Sequence, residues 1–181
     1  QDLSPLVLQN PQELYPLLFR SVSQTLLDIA GDPKHLGAEI GGLAVLHTWG
    51  QQLQHHPHLH CVLPAGGVAL DGSHWVSCRP DFFLPVRVLS RRFRRLFLDG
   101  LEQLYDRDQL ILAARCRELA EPKPWKRLLR TLREKEWVVY VKEPIQDPQY
   151  VLKYLARYVH RVAISNHRLL ALEDGQVTSQ D

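Results

Sequence analysis

Apolar residues recur at helical spacing in three segments of this chain. After Asn10-Pro11, a pair typical of a helix start, they fall at helical intervals as far as Gly31. A second helical pattern runs from Ser90 to about Glu118, and a shorter basic one runs from Trp125 to Glu134. We therefore predict three amphipathic helices, each with its apolar stripe against a core.

Short apolar runs bounded by turn residues predict strands between and after these helices. The predicted strands cover residues 42–48, 58–63 and 136–142, and the last is apolar enough to be a central strand. Asp71-Gly72 and Asp174-Gly175 predict the turns of two hairpins, within residues 68–76 and 168–178. The pattern predicts an α+β fold in which helices flank a central, mainly antiparallel β-sheet.

Composition limits the size and the class of the protein. The 181 residues, 45% of them hydrophobic, are enough for one well-packed domain, which we expect to cover residues 1–181. The absence of Met indicates an excerpt from a longer protein. Neither an eighteen-residue apolar run nor a signal-peptide pattern occurs, so we expect no membrane partner. Three widely spaced cysteines are typical of buried thiols in a reducing cytoplasm.

Basic residues form three clusters although the net charge is only +2. Surface helices are commonly basic without a ligand, and each cluster has that interpretation. Taken together they also fit a polyanionic partner. The clusters comprise Arg91, Arg92, Arg94 and Arg95; Lys123, Lys126, Arg127, Arg130 and Arg133; and Lys153, Arg157 and Arg161.

The triplet His58-Leu59-His60 lies in an apolar run that predicts a strand. Alternate side chains of a strand point to the same face, so both imidazoles share a face, roughly 6–7 Å apart along the backbone. Two imidazoles in this arrangement can occupy two positions around a divalent cation. A pair of surface histidines without a ligand is the simpler interpretation of the triplet alone.

A third ligand is predicted from the preceding strand. His47 lies eleven residues before His58, and it can reach the same cation if the two strands pair. Gln51 and Gln52 are the alternatives, because an amide oxygen can also bind a hard cation.

A helix is predicted after Asp147-Pro148, to about residue 162, and it carries tyrosines at a regular spacing. Tyr154 and Tyr158 are four residues apart and therefore share a helix face. Half-buried core tyrosines are the simpler interpretation. A phenol with a pKa of about 10 is a poor nucleophile towards a phosphodiester unless a cation polarises the phosphate.

The histidine triplet followed by Tyr154-x-x-x-Tyr158 resembles the HUH endonuclease superfamily. More narrowly, His47-Thr-Trp-Gly-Gln, His56-Pro-His-Leu-His-Cys and the segment from Tyr154 to Leu169 resemble the two-tyrosine transposases of rolling-circle insertion sequences and common-region elements. The resemblance extends from about residue 8 to 178. Members of this family carry a cysteine-rich zinc module before the domain and further sequence after it, and neither is present in these residues.

The resemblance implies a reaction and a set of residues. A tyrosine attacks single-stranded DNA at the element ends and target, with Mg²⁺ or Mn²⁺ as cofactor, and a 5′-phosphotyrosine and a free 3′-hydroxyl result. We expect a cytoplasmic, nucleoid-associated bacterial protein. The implied nucleophiles are Tyr154 and Tyr158, the metal ligands are His58 and His60 with His47 as the separately inferred third, and the phosphate contacts are Lys153, Arg157 and Arg161.

Other interpretations share parts of this pattern. A rolling-circle replication initiator or a relaxase would use the same chemistry, and Tyr150 with Tyr154 has the spacing of an initiator motif. A catalytically inactive single-stranded DNA-binding module would use the tyrosines to stack on bases. A zinc enzyme acting on a small molecule would also have a His-x-His pair, but no carboxylate base lies near it in the sequence.

Overall fold

The computed structural model describes residues 3–50, 54–80, 83–142, 149–151, 153, 156, 169–173 and 176–179. Residues 1–44 and 61–144 form one compact unit, and residues 45–60 and 145–181 form a second. None of the described helices combines the length and the apolar character that crossing a bilayer requires.

Helices and antiparallel strands both contribute to the structure, which confirms the predicted α+β class. The helices are α1 (Ser4–Gln9), α2 (Pro11–Gly31), α3 (Val86–Asp106) and α4 (Pro122–Glu134), with a 3₁₀ helix at Ala114–Ala120. The strands are β1 (Ala38–Glu39), β2 (Leu43–Trp49), β3 (His55–Val62), β4 (Gly66–Ala69), β5 (Trp75–Ser77), β6 (Leu169–Glu173) and β7 (Gln176–Ser179).

The described strands form three small sheets. One has the order β1-β4-β5, with both pairs antiparallel, and the others pair β2 with β3 and β6 with β7. Gly67 lies in β4 where the backbone of β1 comes very close, and a Cβ there would be 2.4 Å from the Glu39 carbonyl oxygen. Both predicted hairpins are confirmed, and Gly72 takes the positive φ of 73° that its turn requires.

The core of the first unit lies between α2 and α3, which run antiparallel. Leu17 packs so closely on Gly100 that a Cβ on the glycine would lie 2.3 Å from a leucine methyl carbon. Further along the same pair, Arg92 of α3 donates hydrogen bonds to Asp28 of α2. Leucines of both helices are almost fully buried, namely Leu14, Leu17, Leu98 and Leu101. The predicted limits of α2 are confirmed, and so is the predicted C-terminal end of α4.

The predicted helix from Ser90 to Glu118 is wrong at both ends. Helix α3 begins directly after Pro85 and ends at Asp106, and Asp108 then takes a positive φ of 53°. The apolar residues that follow belong to an extended segment, which side-chain amides of the N-terminal region hold in place. Asn10 pairs with the backbone of Ile111, and Gln9 pairs with that of Ala113.

The predicted central strand at 136–142 is also wrong, because no described strand pairs with this segment. Its side chains do alternate: Val139 packs on a core cluster, whereas Val138 is 93% exposed and Tyr140 is 78% exposed. Side chains of α3 donate hydrogen bonds to two carbonyl oxygens at or just before the start of this segment. Ser90 donates to the Trp137 oxygen and Arg94 to the Lys135 oxygen. Apolar alternation thus produced an extended segment without sheet pairing.

Candidate metal centre

Strands β2 and β3 pair through a short connection, residues 50–54. A connection of this length can join only antiparallel strands. The Gly50 N–H closes it by donating to the Gln54 carbonyl at 2.9 Å. The pairing that the third ligand requires is therefore present.

Three imidazoles converge on this hairpin. One ligand nitrogen from each of His47, His58 and His60 lies within 4.8 Å of the other two. The Nε2 atoms of His58 and His60 are 3.0 Å apart. The ring of His47 has its centroid 4.4 Å from that of His60 and 5.5 Å from that of His58. The period-2 arrangement of the strand produces the His58–His60 pair, and strand pairing adds His47.

The orientation of His58 leaves one nitrogen available. Its Nδ1 lies 2.7 Å from the His56 carbonyl oxygen, which can only accept, so Nδ1 carries the proton. In a neutral imidazole the Nε2 atom, which faces the His60 Nε2, then has the lone pair that can accept a proton or bind a cation. Carbonyl groups that orient histidine ligands in this way are common in metal sites.

His47 is the most enclosed member of the triad. It is 5% exposed, and its ring stacks in parallel on Trp49 at 5.7 Å between centroids. His58 and His60 are half-buried. The inner imidazole is thus fixed by packing, while the outer two remain accessible to a small ion.

Two neighbouring groups have shifted pKa values, but neither belongs to the triad. Burial lowers the pKa of His55, and the charge of His56 lowers it further. Burial raises the pKa of the Cys61 thiol, so this cysteine is protonated near neutral pH. Because Cys61 follows His60 directly on the strand, its side chain points to the opposite face.

The donor set fits a divalent cation. Cis ligands at about 2.1 Å from an octahedral ion lie roughly 3.0 Å apart, which is the separation found between His58 and His60. Imidazole suits transition-metal ions, and oxygen donors suit Mg²⁺. Three imidazoles therefore fit Mn²⁺ better than Mg²⁺.

The structure brings together part of the predicted site. His47, His58 and His60 meet, whereas Gln51 and Gln52, the alternatives to His47, lie outside the described residues. The predicted helix does include residues 149–151, 153 and 156. Lys153 is exposed, and its Nζ lies 5.4 Å from the centroid of the Tyr150 ring. Four other predicted site residues also lie outside the described residues: Tyr154, Arg157, Tyr158 and Arg161.

Two groups that position the histidines of the triad were not predicted from the sequence. The carbonyl of His56 orients His58, and Trp49 packs on His47. Spacing on the strand contained the signal for Trp49, because a residue two positions after His47 must share its face. No side-chain pattern could indicate a main-chain carbonyl.

The fold and the site define an α+β chain with a candidate metal centre of three histidines. A protein-family model described as "Putative transposase" (Y2_Tnp) matches residues 41–180. The chain belongs to this transposase family, as the resemblance of its histidine and tyrosine segments predicted.

Two curated relatives match almost the whole chain. It is 55% identical over 177 residues to "Putative transposase y4qJ" of Sinorhizobium fredii, covering 98% of this chain and 44% of that protein. It is 28% identical over 179 residues to "Transposase for insertion sequence element IS801" of Pseudomonas savastanoi pv. phaseolicola, covering 94% and 42%. The chain thus spans less than half the length of each relative. No solved structure gives a significant match.

Proposed function

We propose that this chain is the catalytic domain of a transposase that cuts and rejoins single-stranded DNA through a 5′-phosphotyrosine, in rolling-circle transposition. The observation that carries the proposal is the convergence of His47, His58 and His60 within 4.8 Å, inside the segment that the transposase family model matches. The same matched segment contains Tyr154 and Tyr158. No other described cluster of histidine, cysteine or acidic residues has such a geometry.

In the proposed cleavage, the hydroxyl oxygen of Tyr154 or Tyr158 attacks the scissile phosphorus. A bond forms between this oxygen and phosphorus, and the bond from phosphorus to the 3′ oxygen breaks. The phenol loses its proton and the 3′ oxygen gains one, so a 5′-phosphotyrosine and a free 3′-hydroxyl result. Attack by a 3′-hydroxyl on the phosphotyrosine reverses these bond changes and rejoins a strand without ATP.

The remaining residues have supporting roles in this proposal. His47, His58 and His60 would hold Mn²⁺ or Mg²⁺, which when bound polarises the phosphate. Lys153, Arg157 and Arg161 would bind neighbouring phosphates. On the predicted helix Tyr154 and Tyr158 would share a face, so one could retain the first strand end while the other acts on the next.

We infer that the partner is single-stranded DNA at the element ends and at the target, and that the protein works at the bacterial nucleoid. Residues 1–181 would act as one catalytic domain. Since the chain spans less than half of each curated relative, we assign only cutting and rejoining to it.

A covalent-capture experiment tests this proposal. The protein is incubated with Mn²⁺ and a labelled pool of random-sequence single-stranded oligonucleotides, and adducts are separated on a denaturing gel. We expect an adduct with the unaltered protein and none with the double variant Tyr154→Phe/Tyr158→Phe. Tyr150→Phe is the matched control, since it removes the hydroxyl of a tyrosine four residues earlier in the sequence and should leave the adduct in place.

Other outcomes would overturn the proposal. An adduct that survives in the double variant but disappears in Tyr150→Phe would make Tyr150 the nucleophile and favour an initiator-like site. An adduct formed equally well in EDTA would remove the role of the cation. Salt-sensitive DNA binding with no adduct under any condition would identify a binding module.

A further inference from the structure

Helices α3 and α4 carry nine basic side chains on their outer faces, which we call the basic band. On α4 five of them lie within a sector of about 120° around the helix axis, and on α3 four lie within about 100°. All are exposed or half-buried. The band consists of Arg87, Arg91, Arg94 and Arg95 on α3, and Lys123, Lys126, Arg127, Arg130 and Arg133 on α4.

The packing of α4 on α3 joins the two rows of charge. Tyr105 stacks on Trp125 with ring centroids 4.1 Å apart, and Glu102 pairs with Arg133 at 2.8 Å. Helix α4 therefore runs antiparallel along the C-terminal half of α3. Its C-terminal end lies near the arginines in the N-terminal half of α3, where Arg94 donates to the Lys135 carbonyl.

A groove connects the rows at this junction. Its volume is about 260 Å³, and it is lined by Arg91, Arg94, Arg95, Leu98, Asp99 and Arg133. The row on α4 extends over roughly 15 Å and that on α3 over roughly 12 Å, at 1.5 Å per helical residue. Placed end to end, they form a continuous band roughly 25–30 Å long.

Much of this charge is not neutralised within the described part of the chain. Arg133 pairs with Glu102, and Arg95 lies 3.6 Å from Asp99. No described carboxylate forms a salt bridge with the other four cations of α4, which are Lys123, Lys126, Arg127 and Arg130. Arg92 provides the contrast, because it points away from the band to Asp28 and has a structural role.

The band fits a backbone of regularly spaced negative charges better than it fits unpaired bases. Of the four aromatic side chains on α3 and α4, Phe97 and Trp125 are 5% and 2% exposed, and Phe93 and Tyr105 are half-buried, in ring contact with Trp137 and Trp125. The described band therefore offers no fully exposed aromatic ring for base stacking, on which single-strand binding depends. At 3.4 Å per base pair, a band of this length follows about eight base pairs of a duplex.

We propose that the basic band binds the phosphate backbone of double-stranded DNA. The choice of DNA as the polyanion rests on the proposed function, whereas the charge, the length and the lack of fully exposed aromatic rings are features of this surface. A protein that cuts a single strand would use such a band to hold the duplex that adjoins it.

The salt dependence of duplex binding tests this inference. The band variant is Arg91→Gln/Lys126→Gln/Arg130→Gln. The control variant Arg20→Gln/Lys34→Gln/Arg79→Gln removes the same charge from exposed positions on other parts of the same unit. Fluorescence anisotropy with a DNA duplex of about 20 base pairs gives the slope of log K against log salt. We expect the band variant to reduce the magnitude of that slope by about 2.7, and the control variant to leave it unchanged.

Thermal unfolding of both variants shows whether each is folded. Equal slopes for the band and control variants would overturn the inference. It would also be overturned if the band variant lost more affinity for single-stranded DNA or for duplex RNA than for duplex DNA. The covalent adduct is a separate readout: if it forms while the band variant binds duplex like the control, only this inference fails. If no adduct forms and the band variant alone loses duplex binding, only the proposed function fails.

Discussion

The Nε2 atoms of His58 and His60 lie 3.0 Å apart on side chains two positions apart along β3. Two nitrogen atoms that close must share a proton or a cation, because two unprotonated lone pairs would repel. The His56 carbonyl holds the proton of His58 on Nδ1 and so turns its Nε2 lone pair towards His60. The two rings of this hairpin are therefore placed to share either a proton or a cation.

Replacing His58 and His60 should strongly weaken the proposed metal binding. We expect His58→Ala/His60→Ala to lower the affinity for Mn²⁺ by at least about 100-fold in isothermal titration calorimetry, since two imidazole donors are lost. His56→Ala is the control, because it keeps the main-chain oxygen that orients His58 and removes only a ring 5.2 Å away, centroid to centroid. In the unaltered protein Mn²⁺ should bind more tightly than Mg²⁺. Equal losses in His56→Ala and in the double variant would refute a site built from the two rings.

His47 and the nearby glutamines can be distinguished by the same titration. We expect His47→Gln to weaken Mn²⁺ binding by about tenfold or more, because an amide is a poorer donor than imidazole for this ion. Gln51→Ala and Gln52→Ala should each leave the affinity within about twofold. Stronger effects of a glutamine substitution than of His47→Gln would assign the third ligand to the connection. Anomalous scattering from a manganese-soaked crystal would identify the ligand directly.

The ion pair between Asp28 and Arg92 should make stability depend on pH. Burial raises the pKa of Asp28, but hydrogen bonds from Gln24 and Arg92 and the Arg92 charge outweigh it and lower the pKa below its usual value of 3.8. The stabilisation is therefore complete above that value and is lost as the pH falls through the lower pKa of the folded state.

Asp28→Asn is the variant that measures this contribution. At pH 7 we expect it to reduce the free energy of unfolding by about 1 kcal/mol or less, because both side chains are partly exposed and solvent screens the pair. The difference from the unaltered protein should shrink as the pH falls below 3.8. Urea unfolding at a series of pH values measures both quantities. A difference that grows in acid would assign the effect to something other than this carboxylate.

Asn10 should be far more sensitive to substitution than its neighbour Gln9. Asn10 is 3% exposed; its Nδ2 donates to the carbonyls of Leu6 and Ile111, and its Oδ1 accepts from the Ile111 N–H. We expect Asn10→Ala to cost about 2–3 kcal/mol in the free energy of unfolding, because buried polar groups lose their partners.

Gln9→Ala is the matched control, since it also removes two hydrogen bonds to the same segment, at Ala113. These bonds are exposed, so water replaces them and the cost should stay below about 1 kcal/mol. Chemical denaturation of both variants measures the difference. Similar costs would mean that burial does not determine the contribution of these amides.

The sequence by itself determined the features that depend on neighbouring residues. Asn10-Pro11 and Asp32-Pro33 set the limits of α2, because proline fits the first turn of a helix and disfavours helical backbone in the residue before it. Asp71-Gly72 determined a turn, because glycine readily takes a positive φ. The period of a strand was enough to place His58 and His60 on one face. The family followed from motifs that are read directly as sequence.

Tertiary structure alone decided what depends on distant partners. His47 reached the triad because β2 pairs with β3 in one register, and a shift of one residue would have turned its ring to the other face. The segment after α3 is not helical as predicted, because Gln9 and Asn10, about a hundred residues away in sequence, form hydrogen bonds with the backbone of Ala113 and Ile111. The alternating residues 137–140 made no strand, since alternation decides which side chains face a core and only a neighbouring backbone supplies hydrogen bonds.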